Sequence, residues 1–271
     1  MTQQPPNIPQ ARARIEGMKR QFEQKRQIEE SLSAIKNKIG VYSGKGGVGK
    51  TTVAINIAAA LSHQGNKVGV LDVDIDCPNI VRALNISDQP LIDDNKKMIP
   101  PERFGIKVMS MAFFQENQDE AIIWRGPMIH NAINQMLQST SWGDLDYLII
   151  DLPPGTSDAP LTVMQVLTMD GFVIVTTPQE LAKIDAKRSI NMVKKLQISV
   201  LGVVENMSGD FFGTGAGSDI ASELNINFLG NLSMRTEYRD ISRPTTLINN
   251  DVLTEYNNIC ENMIVALKEN N

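Results

Sequence analysis

Apolar residues along this chain fall into short unbroken runs separated by longer amphipathic stretches, the pattern of strands alternating with helices. The runs Ile39 to Ser43, Lys67 to Asp72, Ile106 to Met111, Tyr147 to Ile150, Gly171 to Thr176, Val200 to Glu205 and Asn227 to Gly230 read as strands. Tyr147-Leu148-Ile149-Ile150 is apolar at four successive positions and ends in Asp151, as expected of a central parallel strand covered on both faces. Helices are predicted over Val53 to Leu61, Pro127 to Gln138, Leu181 to Leu196 and Asp251 to Leu267, with Ala221 to Leu224 part of a shorter one. Strand following helix throughout predicts an α/β fold, a doubly wound, mostly parallel sheet flanked by helices.

The first 35 residues read differently. Residues 1 to 10 hold three prolines and three glutamines and are expected to be disordered. From Ala11 to about Lys38 the chain turns to charged helix formers, with Ile15, Met18, Phe22, Ile28, Leu32 and Ile35 at mostly helical spacing. Lys25 and Glu29 interrupt any a/d seam, which argues against a long coiled coil. That leaves a helix docked on its own domain or lying in solvent, with a partner-binding arm as the alternative. We divide the chain into an extension, 1–35, disordered then helical, and one domain, 36–271, within which no linker or internal repeat is visible.

Composition narrows the function classes. A formal net charge of -5 over 271 residues and 5% aromatic residues argue against nucleic-acid binding. No apolar run approaches the roughly 20 residues that cross a bilayer, and no apolar signal core follows the N-terminus, so no membrane or secretory role is expected. Two cysteines far apart, Cys77 and Cys260, form neither a disulfide framework nor a metal knuckle, and the reduced cytoplasm is the simplest compartment. His63 and His130 match no ligand or nucleophile spacing.

The chemistry centres on Gly44-Lys45-Gly46-Gly47-Val48-Gly49-Lys50-Thr51-Thr52, which lies between a predicted strand and a predicted helix. Gly44, Gly49, Lys50 and Thr51 satisfy G-x-x-x-x-G-K-[ST], the phosphate-binding loop of the P-loop NTPases. In such a loop glycine lets successive backbone N–H groups converge on a phosphate at a helix N-terminus. Lys50 neutralises phosphate charge, and the Thr51 hydroxyl is placed to ligate Mg²⁺. Asp151, closing an apolar strand, is the expected partner carboxylate for the metal. Asp72 and Asp74 are two apart and share a face of an extended segment. Asp74 is assigned the attacking water, and Asp72 a supporting role at the metal. Lys45 adds a second cation to the loop, an arrangement that like-charge crowding makes costly unless an anion is bound.

Gly-Lys-Gly-Gly-Val-Gly-Lys-Thr resembles the deviant Walker A motif of the MinD, ParA and nitrogenase iron-protein superfamily. Further segments narrow the likeness: Leu71 to Ile80, Trp124-Arg125-Gly126-Pro127, Asp151 to Asp158, Thr177-Pro178-Gln179-Glu180 and Glu205-Asn206-Met207-Ser208. Together they resemble the Mrp/Nbp family of iron-sulfur cluster carriers, from about Lys36 into the last helix. The resemblance implies ATP as ligand, a face-to-face homodimer in which Lys45 reaches the partner's nucleotide, and Asn206 at adenine. It also implies that Leu152 to Thr156, Gly155 among them, senses the γ-phosphate.

One segment departs from that family. Its members usually follow the Asn-Met-Ser stretch with a C-x-x-C, from which two subunits hold a 4Fe-4S cluster between four thiolates. Here Ser208 leads directly into Gly209-Asp210-Phe211-Phe212-Gly213-Thr214-Gly215-Ala216-Gly217, a stretch that resembles what normally follows the cysteine segment, as if that segment were deleted, and two copies of Cys77 supply only two thiolates. The expectation is therefore a Mg²⁺-dependent homodimeric ATPase of iron-sulfur cluster assembly or transfer, with apoproteins or a cysteine-bearing protein as partners. Its rivals are a MinD/ParA-like nucleotide-switched, partner-binding ATPase without a cluster, and a small-molecule kinase or ligase on the same fold.

Overall fold

The computed structural model describes residues 8–75, 77–114 and 126–270. Asp76, Trp124 and Arg125 of the motifs above, and residues 1–7 of the expected disordered end, lie outside them. In chain order the elements are α1 (Ile8–Ser31), β1 (Ile35–Tyr42), α2 (Lys50–His63), β2 (Val68–Asp72) and α3 (Ile80–Ala83). Four short strands follow, β3 (Leu91–Ile92), β4 (Met98–Ile99), β5 (Glu102–Arg103) and β6 (Ile106–Ser110), then α4 (Gly126–Ser139) and β7 (Leu145–Asp151). The second half runs α5 (Asp158–Val166), β8 (Gly171–Thr176), α6 (Glu180–Lys195), β9 (Val200–Ser208), α7 (Ala216–Leu224), β10 (Phe228–Ser233) and α8 (Asn250–Glu269).

Eight strands form one sheet in the order β10-β9-β8-β1-β7-β2-β6-β5, parallel except for β5, which pairs antiparallel with β6. The alternation of side chains sends each central strand into two cores. Tyr147 and Ile149 of β7 join Ile39, Val41, Val173 and Val175 on the face covered by α2 and α8. Leu148 and Ile150 join Tyr42, Phe172 and Ile174 on the face covered by α1, α4, α5, α6 and α7. Burial on both faces explains the unbroken apolar runs within these strands, such as Tyr147 to Ile150 of β7.

The helix expected to reach Lys38 ends at Ser31 and begins at Ile8, inside the stretch expected to be disordered. Parallel pairing overrides local helix propensity beyond it: Ile35 lies opposite Leu145, and Asn37 opposite Tyr147, so β1 starts four residues earlier than its apolar run. Ile28 and Leu32, at the base of α1, are buried against the same core as Ile133 and Leu137 of α4. β9 extends to Ser208 and β10 to Ser233, each beyond its expected end, because both pair along that length.

Candidate functional site

The site forms where the carboxyl ends of β1, β7 and β2 meet, the crevice in which open α/β sheets hold ligands. β1 lies between β7 and β8, and α2 begins immediately beyond the glycine loop that follows it. Asp151 pairs with Val41 on one side and with Asp72 on the other, so the sheet register sets both acids beside the loop.

Two glycines of the loop are required by geometry. Gly49 has φ +82°, and a Cβ there would stand 2.2 Å from the Asn206 amide nitrogen. A Cβ on Gly44 would stand 2.2 Å from the Asp185 carbonyl oxygen, so the loop sits directly on α6. Lys45, Gly46, Gly47, Gly49, Lys50, Thr51 and Thr52 line a cavity of about 330 Å³, which Asp74, Cys77, Asn79 and Pro154 also border. Val48 is buried behind it.

Lys50 is buried between two carboxylates. Its Nζ donates to Asp151 Oδ1 at 2.6 Å and lies 3.5 Å from Asp74 Oδ2. The Thr51 hydroxyl donates to the second Asp151 oxygen at 2.6 Å. Thr51 and Asp151 thus offer adjacent hard oxygens, a donor set suited to Mg²⁺. No group of three or more His, Cys, Asp or Glu side chains stands ready for a metal among the described residues, so phosphate and water oxygens would complete such a shell. Burial raises the Asp151 carboxyl, and Lys50 and Thr51 oppose that rise. Asp74 is also raised, by burial against the pull of Lys50 and with a further push from Asp151.

Asp72 stands behind this group. One of its oxygens accepts the Asp74 N–H at 3.1 Å, and the other accepts the Ser110 hydroxyl at 3.0 Å and the Ile80 N–H at 3.2 Å. It is fully buried, and burial with the nearby Asp151 charge pushes it up to about 8. Its oxygens are turned to the backbone that carries Asp74 and to the start of α3, a supporting position and not a direct one. Gly155 lies over β1, its N–H donating to Ser43 O at 2.9 Å and its carbonyl accepting the Tyr42 hydroxyl.

A second cavity of about 330 Å³ adjoins the loop, bordered by Gly49, Thr52 and Asn206. Asn206 donates its Nδ2 to Val48 O at 2.9 Å, which ties the end of β9 to the phosphate loop. Met207 beside it holds φ +60°, a strained value for a side chain of that size. Met234, Arg235 and Tyr238 complete the wall. These three sit in no motif and follow Asn206 by about thirty residues, so only their place after β10 could have revealed them. Cys77 is exposed at the phosphate cavity, and Cys260 is buried, its thiol pushed up to about 12 by burial.

A glycine loop between a central parallel strand and its helix, with lysine, hydroxyl and carboxylates converging beyond it, defines a nucleotide-binding P-loop NTPase. The family model described as NUBPL iron-transfer P-loop NTPase matches residues 34–267, and the chain belongs to that family. An iron-sulfur cluster carrier protein of Methanocaldococcus jannaschii is 42% identical over 257 residues, 89% of each chain. The iron-sulfur cluster transfer protein NUBPL of Dictyostelium discoideum is 42% identical over 236 residues, 82% of this chain and 73% of its own. Among solved structures, a nucleotide-binding protein of Archaeoglobus fulgidus in complex with ADP has 37% identity and a TM-score of 0.71, over 82% of this chain and 91% of its own. The cell division ATPase MinD of Pyrococcus furiosus, 19% identical with a TM-score of 0.66 over 84% and 98%, shares the fold. The Mrp/Nbp likeness and the α/β P-loop fold expected from sequence are thereby borne out.

Proposed function

We propose that this chain is a Mg²⁺-dependent ATPase that works as a homodimer in the assembly or transfer of iron-sulfur clusters. The observation that carries this reading is the convergence of Lys50, Thr51, Asp74 and Asp151 on one cavity at the phosphate loop. Loop N–H groups from Gly46 to Thr52 and the Lys50 ammonium bind the phosphates; Thr51 and Asp151 hold Mg²⁺. When bound, Mg²⁺ neutralises charge on the phosphate oxygens. Asp74, held by the Asp72 hydrogen bond to its N–H, orients the attacking water. Asn206 faces adenine in the adjoining cavity, and Lys45 serves the partner subunit's nucleotide.

A cluster is cargo here. With Cys260 buried, one exposed thiol per subunit leaves a pair of chains two thiolates short of four. The chain therefore acts on a cluster held by a cysteine-bearing partner or by the receiving apoprotein. The same count favours, as a second reading, a nucleotide-switched ATPase that binds a partner and handles no cluster.

Steady-state hydrolysis of ATP with Mg²⁺ tests the first part: Asp74→Ala is expected to bind ATP and lose roughly 10²-fold or more in kcat. An unchanged rate removes Asp74 from its role. Anaerobic reconstitution with iron and sulfide, alone and with an apoprotein, separates the readings. ATP-dependent transfer to the apoprotein supports the first, and hydrolysis with no effect on transfer supports the second.

A further inference from the structure

At the carboxyl end of β1 a buried position carries a polar group whose partner lies outside the sheet. Tyr42 closes β1 and is fully buried, in the core that faces α6. Its ring meets Phe172 of β8 edge-on, centroids 6.2 Å apart, and the Met192 sulfur of α6 lies 3.7 Å from its oxygen. A phenylalanine would fill that space as well. The hydroxyl of Tyr42 instead donates to the Gly155 carbonyl, in the loop that follows β7. Burial pushes the phenol up to about 12, so it keeps the proton it donates at neutral pH.

That loop runs along the end of β1. The Leu152 N–H donates to Val41 O at 3.2 Å, and the Gly155 N–H to Ser43 O at 2.9 Å. Between them Pro154 borders the phosphate cavity. Ser43 also donates its hydroxyl to Lys45 O at 2.9 Å, so a single strand end holds both the phosphate loop and the loop after β7. Gly155 has φ +84°, a region that glycine enters and leaves freely, so its orientation is set by the hydrogen bonds on its N–H and its C=O. The peptide is trans, and a carbonyl drawn toward Tyr42 turns the Thr156 N–H the opposite way, out of the core.

We propose that Tyr42 is a positioning residue for ATP hydrolysis: from inside the core its hydroxyl fixes the Gly155 peptide, and with it the loop that brings Pro154 to the phosphate cavity. This rests on the ATPase reading above. The group that Tyr42 orients is backbone, and backbone dipoles held in place before the reaction stabilise charge as it develops on phosphate oxygens. Without the hydroxyl the loop stays tethered at Ser43 and loses the fixed orientation of this peptide. Nucleotide binding by the phosphate loop, Lys50 and Thr51 does not pass through Tyr42, so the loss falls on turnover and not on affinity.

Steady-state hydrolysis of ATP by the full chain with Mg²⁺, together with ADP affinity, tests the assignment. Tyr42→Phe keeps the ring against Phe172 and removes only the hydroxyl. It is expected to lower kcat about 10-fold, the scale of one lost hydrogen bond, with KM for ATP and ADP affinity within about two-fold of wild type. Met192→Leu conserves volume beside the same hydroxyl without touching the loop, and should keep kcat within about two-fold of wild type. A Tyr42→Phe chain that turns over at the wild-type rate, or one that loses affinity and not kcat, overturns the role. So does a Met192→Leu chain slowed as much as Tyr42→Phe, because the effect would then be one of packing. A wild-type chain that binds ATP and hydrolyses none overturns the ATPase reading, and this role with it.

Discussion

Substituting Gly49 by alanine probes the junction between the phosphate loop and the second cavity, bordered by Asn206. The backbone there has φ +82°, and an L-residue in the left-handed region costs about 1–2 kcal/mol. The new Cβ would lie 2.2 Å from Asn206 Nδ2, so that side chain must leave its 2.9 Å hydrogen bond to Val48 O, at about 1–3 kcal/mol for buried groups left unpaired. Gly49→Ala should therefore destabilise the fold by roughly 2–5 kcal/mol in urea unfolding without nucleotide. The two causes separate in a double-mutant cycle. In an Asn206→Ala background there is nothing to displace, so only the backbone cost remains. The double variant should cost about 1–3 kcal/mol less than the sum of the singles. Additivity within about 0.5 kcal/mol would refute the reasoning, because it would mean that Gly49 and Asn206 are not in contact.

Asp151→Asn leaves the buried Lys50 with Asp74 at 3.5 Å as its carboxylate partner, and should cost about 3–5 kcal/mol in unfolding experiments together with the Mg²⁺ dependence of ATP binding. Lys45→Ala should leave ATP affinity of the monomer intact and lower kcat on the order of 10³-fold, the scale of a charge supplied in trans; mixing it with an Asp74→Ala chain should restore part of the rate. Stability should also depend on pH through Asp72. Its carboxyl is raised from 3.8 to about 8, so its contribution is fully present below the unfolded value and is lost as pH rises toward 8. The urea midpoint should fall between pH 5 and pH 8.5, and the fall should shrink in Asp72→Asn; an equal fall in both would assign the effect to other groups.

The parallel sheet was legible because burial on both faces leaves a direct mark, four apolar positions in a row at Tyr147 to Ile150. The end of the first helix was not, since Lys36 and Lys38 continue the charged composition of the helix before them and pairing with β7 makes Ile35 to Lys38 a strand. The site divides the same way. Lys50, Thr51 and Asp151 follow from a loop motif and from a strand that ends in a carboxylate, both local features. Asp74 beside Lys50 follows less directly, because two acids on one face are equivalent in sequence. Their difference is made by Ser110 and Ile80, which bind Asp72 from other elements and turn it away from the cavity. Met234, Arg235 and Tyr238 reach the cavity beside Asn206 only through the tertiary fold. The turn at Phe211, closed by backbone hydrogen bonds between Gly209 and Gly213, combines both cases. Its sequence announces what is missing, a pair of cysteines, but not what stands there, since exposure of one phenylalanine and bracing by the next are properties of the folded turn.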